Sequence, residues 1–178
     1  MPFPNPSRGT RLFLLRLTLI ALAAFVLRLA VSFQLMDSYP PATNPAPGTD
    51  NFTYDRQAQE IVKNGYAKFL NDGFYFQPFY ATVFLPAIYL IWGTGESRII
   101  GVVLAQSILG ALCVWLSGYA AARVFNRRAG LIAALLLGLD RMHIFYTPFT
   151  LIEPLQGFWM SLLFFLSVEA VKRQNASL

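Results

Sequence analysis

The sequence predicts an all-α membrane protein of about four transmembrane helices, with a large extracytoplasmic first loop that contains juxtamembrane helices. Three observations predict this. Apolar residues make up 56% of the chain and charged residues only 13%, the profile of a protein whose main solvent is lipid. Four apolar runs, at about 12–35, 99–122, 131–147 and 155–171, each approach the ~20 residues a helix needs to cross the hydrocarbon. Lysine and arginine collect at the ends of these runs and form no single stripe, so the net charge of +5 reflects membrane orientation and excludes a nucleic-acid partner.

The first run, Leu12 to Leu35, follows Arg8 and Arg11. It exceeds a signal-peptide core and no small-residue cleavage site closes it, so it reads as an uncleaved anchor. Arg8, Arg11 and Arg16 put the N-terminus in the cytoplasm by the positive-inside bias. Arg123, Arg127 and Arg128 mark a second inner turn, and Lys172 with Arg173 a third. A further apolar run from Phe79 to Gly93 contains Pro86 and is short for a span. Counting it as a crossing would push the Arg127 cluster outside, so it reads as a re-entrant or interfacial helix. The whole chain is then one membrane-embedded module, with an outer loop over 36–98.

That loop holds six acids against four basic residues between Asp37 and Arg98. Its Pro-rich part, Tyr39 to Thr49, is not helical throughout. The spacing then predicts a short helix from Asp50 to about Asn64, with Tyr54, Ala58, Ile61 and Val62 on one face and Gly65 ending it. The single cysteine, Cys113, lies in an apolar run and reads as a small buried hydrophobe. No internal repeat, Gly-rich phosphate loop, metal-type Cys/His spacing or Ser/His/Asp pattern is present in the sequence.

Two acids stand out. Asp50, at the predicted helix start, is either an N-cap or a carboxylate that accepts a proton or binds a metal at the membrane surface. Glu153 matches a capping box with Thr150, yet the topology puts it on the same outer face as Asp50. Asp140, Arg141 and His143 form a polar island in the third run, where ionisable groups pair or line a watery cavity. Arg28, near the outer end of the first run, either snorkels or meets an anionic phosphate. Glu169 and Arg173, four apart, read as an exposed pair.

The order of these features resembles the GT-C membrane glycosyltransferases, in the branch of protein O-mannosyltransferases and lipid A aminoarabinose transferases. An N-terminal span is followed by Asp50 and, four residues on, Tyr54. Then come a glycine, an aromatic residue and proline, "LPAIYLIWG", the basic "FNRRAG" turn and "LIEP". Asn51 stands where a second acid often follows the family's aspartate, and Gln77 before Pro78 replaces a lysine of the aminoarabinose branch.

The resemblance implies an inverting glycosyltransferase of the bacterial inner membrane that moves a sugar from a polyprenyl-phosphate donor to an acceptor, itself unspecified, on the outer face. It casts Asp50 as catalytic base, and Glu153 as the acid that orients the acceptor or shares with Asp50 a divalent metal, Mg or Mn. Tyr54, Asp55, Arg28 and His143 would contact substrate. Family members usually have many more spans, so the chain corresponds to the N-terminal part of such an enzyme. The competing readings are a non-catalytic membrane subunit or remnant, and a small transporter component built around the polar island.

Overall fold

The computed structural model describes residues 7–67 and 79–175; Gln77 and Pro78 lie outside the described residues. Among these, all regular structure is helical. Helix α1 covers Arg8–Ser38, α2 Asp50–Asn64, α3 Leu85–Trp92, α4 Ser97–Val124, α5 Arg127–Gly138, α6 Arg141–Phe145 and α7 Glu153–Asn175. Three of them, α1, α4 and α7, are long and apolar enough to cross a membrane. The shortest, α7 with 23 residues, rises about 34 Å against a hydrocarbon core of about 30 Å.

The third expected crossing, 131–147, is not one continuous helix. Helix α5 has 12 residues, roughly 18 Å of rise, and stops at Gly138. Asp140 then starts α6, its carboxylate accepting from the backbone amides of Met142 at 2.8 Å and His143 at 3.4 Å. A side chain that satisfies free amides begins a new helix in place of extending the old one. Pro148 follows closely and prevents continuation of α6.

Helix α4 is the hub, packing against α1, α3, α5 and α7. Small residues let it approach its neighbours closely. A Cβ on Gly130 of α5 would lie 2.5 Å from the Gly118 carbonyl oxygen of α4, so only hydrogen fits there. Around this contact Phe13, Leu17, Ala21 and Ala24 of α1 form a core with Val114 and Ala134. A second core, toward the other end, joins Tyr54, Ala58, Tyr80, Leu85, Tyr89, Val102 and Leu155.

The basic clusters meet at one end of the bundle, as the charge pattern predicts. The Arg127 guanidinium donates to the Thr10 hydroxyl at 2.9 Å, and Arg123 pairs with Glu169 at 2.7 Å. The second contact corrects the expected Glu169–Arg173 pair: the α4 side chain, arriving from a neighbouring helix, takes the carboxylate.

The Phe79 to Gly93 run forms a shorter apolar helical segment, Tyr80–Trp92. A π turn at Tyr80–Phe84 leads into α3, which Gly93 ends with a φ of 79°. Pro86 explains the irregular turn, since it has no amide hydrogen and its ring excludes a regular bond to residue 82. The Thr82 carbonyl so released accepts from the Tyr66 hydroxyl at 2.5 Å. Tyr80 and Tyr89 are fully buried, which fixes this segment on α2 and α4.

Candidate functional site

Two helix starts define the site. The Pro-rich segment makes a short 3₁₀ turn at Pro40–Ala42 and reverses at Gly48, whose φ of 87° suits glycine. Thr49, in extended conformation, is the N-cap of α2, and Asp50 is the first helical residue. The N-cap alternative for Asp50 is therefore removed. Its exposed carboxylate makes no hydrogen bond or ion pair to a described residue.

Glu153 repeats the arrangement on α7. It is the first residue of that helix and is exposed. The Ile152 carbonyl accepts the first helical bond, from Gln156 at 2.9 Å. The capping box fails here, because the Thr150 hydroxyl is turned away and donates to the Asn51 carbonyl at 2.8 Å. That bond ties the chain before Glu153 to the residue after Asp50.

Tyr54 is on the same helix as Asp50, one turn on. It is 4% exposed and packs edge-on to Tyr80, ring centres 5.4 Å apart. Burial pushes the Tyr54 phenol above its usual pKa, and the charges of Asp50 and Glu153 both push it further. Two carboxylates from separate elements thus act on one ring. Among the described residues no three His, Cys, Asp or Glu side chains gather as a metal cluster, so any metal at this point would rest on the Asp50–Glu153 pair.

Beside Glu153 a groove of about 520 Å³ opens between α4, α6 and α7. Leu137, Tyr146 and Met160 give it apolar walls, while His143 and Glu153 face it together. His143 Nδ1 is 3.4 Å from Asp140 Oδ2, close as expected, but this nitrogen makes no hydrogen bond among the described residues. Arg141 departs from that expectation: it is exposed and forms no ion pair with a described residue.

The other expected contacts are placed differently. Asp55 turns inward, where Arg98 grips it with Nε at 2.9 Å and Nη2 at 2.7 Å. Tyr89 donates to the same carboxylate at 2.6 Å and Gln59 at 3.1 Å. Burial raises the Asp55 pKa, but these hydrogen bonds and the Arg98 charge outweigh it and hold the carboxyl below its ordinary value. No oxygen of Asp55 is left open for a substrate. Arg28 is also buried, 1% exposed, and donates to the Ala24 and Leu137 carbonyls at 3.1 and 3.4 Å. Its guanidinium lies over Gly110, where a Cβ would come within 2.4 Å of Nε. It braces the end of α5 and does not face solvent.

Sequence reasoning passed over Gln106, fully buried on α4, whose amide donates to the carbonyls of Thr147 at 3.1 Å and Phe149 at 2.6 Å. Its signal was available: a polar side chain in the middle of an apolar span needs partners. No protein-family model, curated protein or solved structure matches the chain.

Proposed function

We propose that the chain is a GT-C-type inverting glycosyltransferase module. In this reading it takes a sugar from a polyprenyl-phosphate donor and passes it to an acceptor on the outer face of a bacterial inner membrane. The observation that carries the reading is the pair of uncapped acids, Asp50 and Glu153, each opening a helix and joined through the Thr150–Asn51 bond. Neither side chain serves as a helix cap, and first-turn acids favour the N-terminal ends of their helices only modestly. Helices α5 and α6 together make the third of the four crossings in this reading, and the end with Arg8, Arg123 and Arg127 lies in the cytoplasm.

Asp50 takes the proton of an acceptor hydroxyl, and the oxygen attacks the anomeric carbon from the face opposite the phosphate. The bond from that carbon to the phosphate oxygen breaks, its electron pair leaves with the lipid phosphate, and configuration inverts. Glu153 holds the acceptor, and Tyr54 forms the floor between the acids. The apolar groove beside Glu153 is open to a lipid-borne substrate, while the exposed acids meet water. A bound divalent metal would be held by Asp50 and Glu153 and would neutralise phosphate charge; Mg²⁺ is commonly held by one or two carboxylates plus phosphates.

The test uses the chain in liposomes that contain a panel of polyprenyl-phosphate sugars, with release of lipid phosphate as readout. Asp50→Asn should lower the rate ~10²- to 10⁴-fold, the usual loss with a general base, and leave helix content nearly unchanged because Asp50 is exposed and is not the N-cap residue. An Asp50→Asn variant with full transfer, or a wild-type chain that transfers no sugar of the panel, refutes the proposal.

A further inference from the structure

We infer that Arg98 and Gln106 of α4 are positioning residues that set where Asp50 and Glu153 stand relative to one another. This rests on reading those acids as the reacting pair. The two side chains are eight residues apart, about 12 Å along the helix. Each holds one acid-bearing element. Arg98 binds Asp55 through a two-pronged contact at 2.9 and 2.7 Å, and Asp55 sits little more than a helical turn beyond Asp50 on α2. Gln106 binds the carbonyls of Thr147 and Phe149, in the irregular segment that runs into Glu153.

The geometry of each hold restricts motion. A forked guanidinium–carboxylate contact fixes angle as well as distance. Arg98 is itself oriented by donating Nη1 to the Gly95 carbonyl at 3.0 Å. Gln106 gives both amide hydrogens to carbonyls two residues apart, so the 147–149 turn has one way to lie on α4. The Thr150–Asn51 bond at 2.8 Å then closes a ring: α4 to α2, α2 to the turn, the turn to α4. Without the two α4 side chains, that closing bond and the apolar contacts would be left to hold the separation.

The test reads position directly. With Cys113→Ala as background, Asn51→Cys and Ile152→Cys are joined by a short bis-maleimide in detergent-solubilised chain, and helicity and gel filtration report folding. Two variants loosen the ring. Asp55→Leu with Arg98→Leu removes one hold without leaving a buried charge, and Gln106→Met removes the other at nearly constant volume, along with the weak acceptor of the Tyr80 hydroxyl at 3.5 Å. Each should fold and should cross-link roughly tenfold less, the change expected when one charged or doubled hydrogen bond leaves a docking equilibrium. Transfer should fall in kcat with KM little changed. Folded variants that cross-link like the parent overturn the inference, and if Gln106→Met does not fold, the leucine pair alone decides by the same rule. Cross-linking needs no donor, so a parent that cross-links but transfers no sugar refutes the transferase reading, whereas normal cross-linking in the variants refutes the positioning.

Discussion

The Arg98–Asp55 pair makes a stability prediction whose sign is informative. The side chains are 15% and 6% exposed, so solvent screens the pair little. Arg98→Leu leaves the Asp55 carboxylate buried with only Tyr89 and Gln59 to serve it. Removing one partner of a buried pair costs ~3–5 kcal/mol; because two donors remain, the lower end, about 3 kcal/mol, is expected. Replacing Asp55 by leucine as well removes the stranded charge. What remains is the Tyr89 hydroxyl without its acceptor, a loss of about 1–2 kcal/mol. The double variant should therefore be more stable than the single one.

Denaturant unfolding of the chain in detergent micelles, followed by helicity, measures both. A double variant as unstable as Arg98→Leu, or less stable, refutes the reasoning. Acid supplies a second readout. The folded pKa of Asp55 lies below its ordinary value, so the pair's contribution is complete above the unfolded pKa near ~3.9 and is lost as pH falls through the folded pKa. Wild type should lose stability below about pH 4 faster than the leucine pair. Parallel curves would show that Asp55 is not held as described.

Gly130→Ala should destabilise by about 1–3 kcal/mol, because the new methyl meets the Gly118 carbonyl; thermal unfolding of the solubilised chain checks this, and an unchanged midpoint contradicts the close packing. Tyr66→Phe should cost about 1 kcal/mol by leaving the Thr82 carbonyl without that donor, and an equally stable variant would show that this bond is idle. Thiol labelling of Ser97→Cys and Asn126→Cys in intact cells, with Cys113 replaced, should find Ser97 outside and Asn126 inside. Label reaching Asn126 from outside overturns the orientation.

Much of the fold was legible because lipid imposes simple rules on sequence. The apolar runs that became α1, α4 and α7 are long and nearly free of charge, and no other fate suits them. Helix α2 was legible at both ends, from the Pro-rich approach and from Gly65, whose φ of 73° closes it. The juxtaposition of basic clusters followed from charge alone. The third run is two helices because Asp140, which its apolar count passes over, seeds a new helix by taking the amides of Met142 and His143. A count of apolar residues does not register a side chain that competes with the helix backbone.

The surroundings of the candidate acids were only partly legible, and the part that was not has a physical cause. Asp50 and Glu153 are visible as acids beside predicted helix starts, but sequence does not say whether such an acid is used as a cap. The answer comes from one residue to the side: Thr49 sits at the cap of α2, and Thr150 spends its hydroxyl on Asn51. Asp55 was misplaced for a related reason. In sequence it is an acid of an outer loop, one position after Tyr54, and looks available; only the fold brings Arg98, 43 residues away, onto it. Long-range partners of this kind are not written in local spacing. Polar side chains on a long apolar helix, such as Arg98 and Gln106 on α4, are under pressure to find partners inside the fold. Arg98 finds Asp55 on the helix that carries Asp50, and Gln106 finds Thr147 and Phe149 in the segment that leads to Glu153, which is why the proposed positioning role falls to these two side chains.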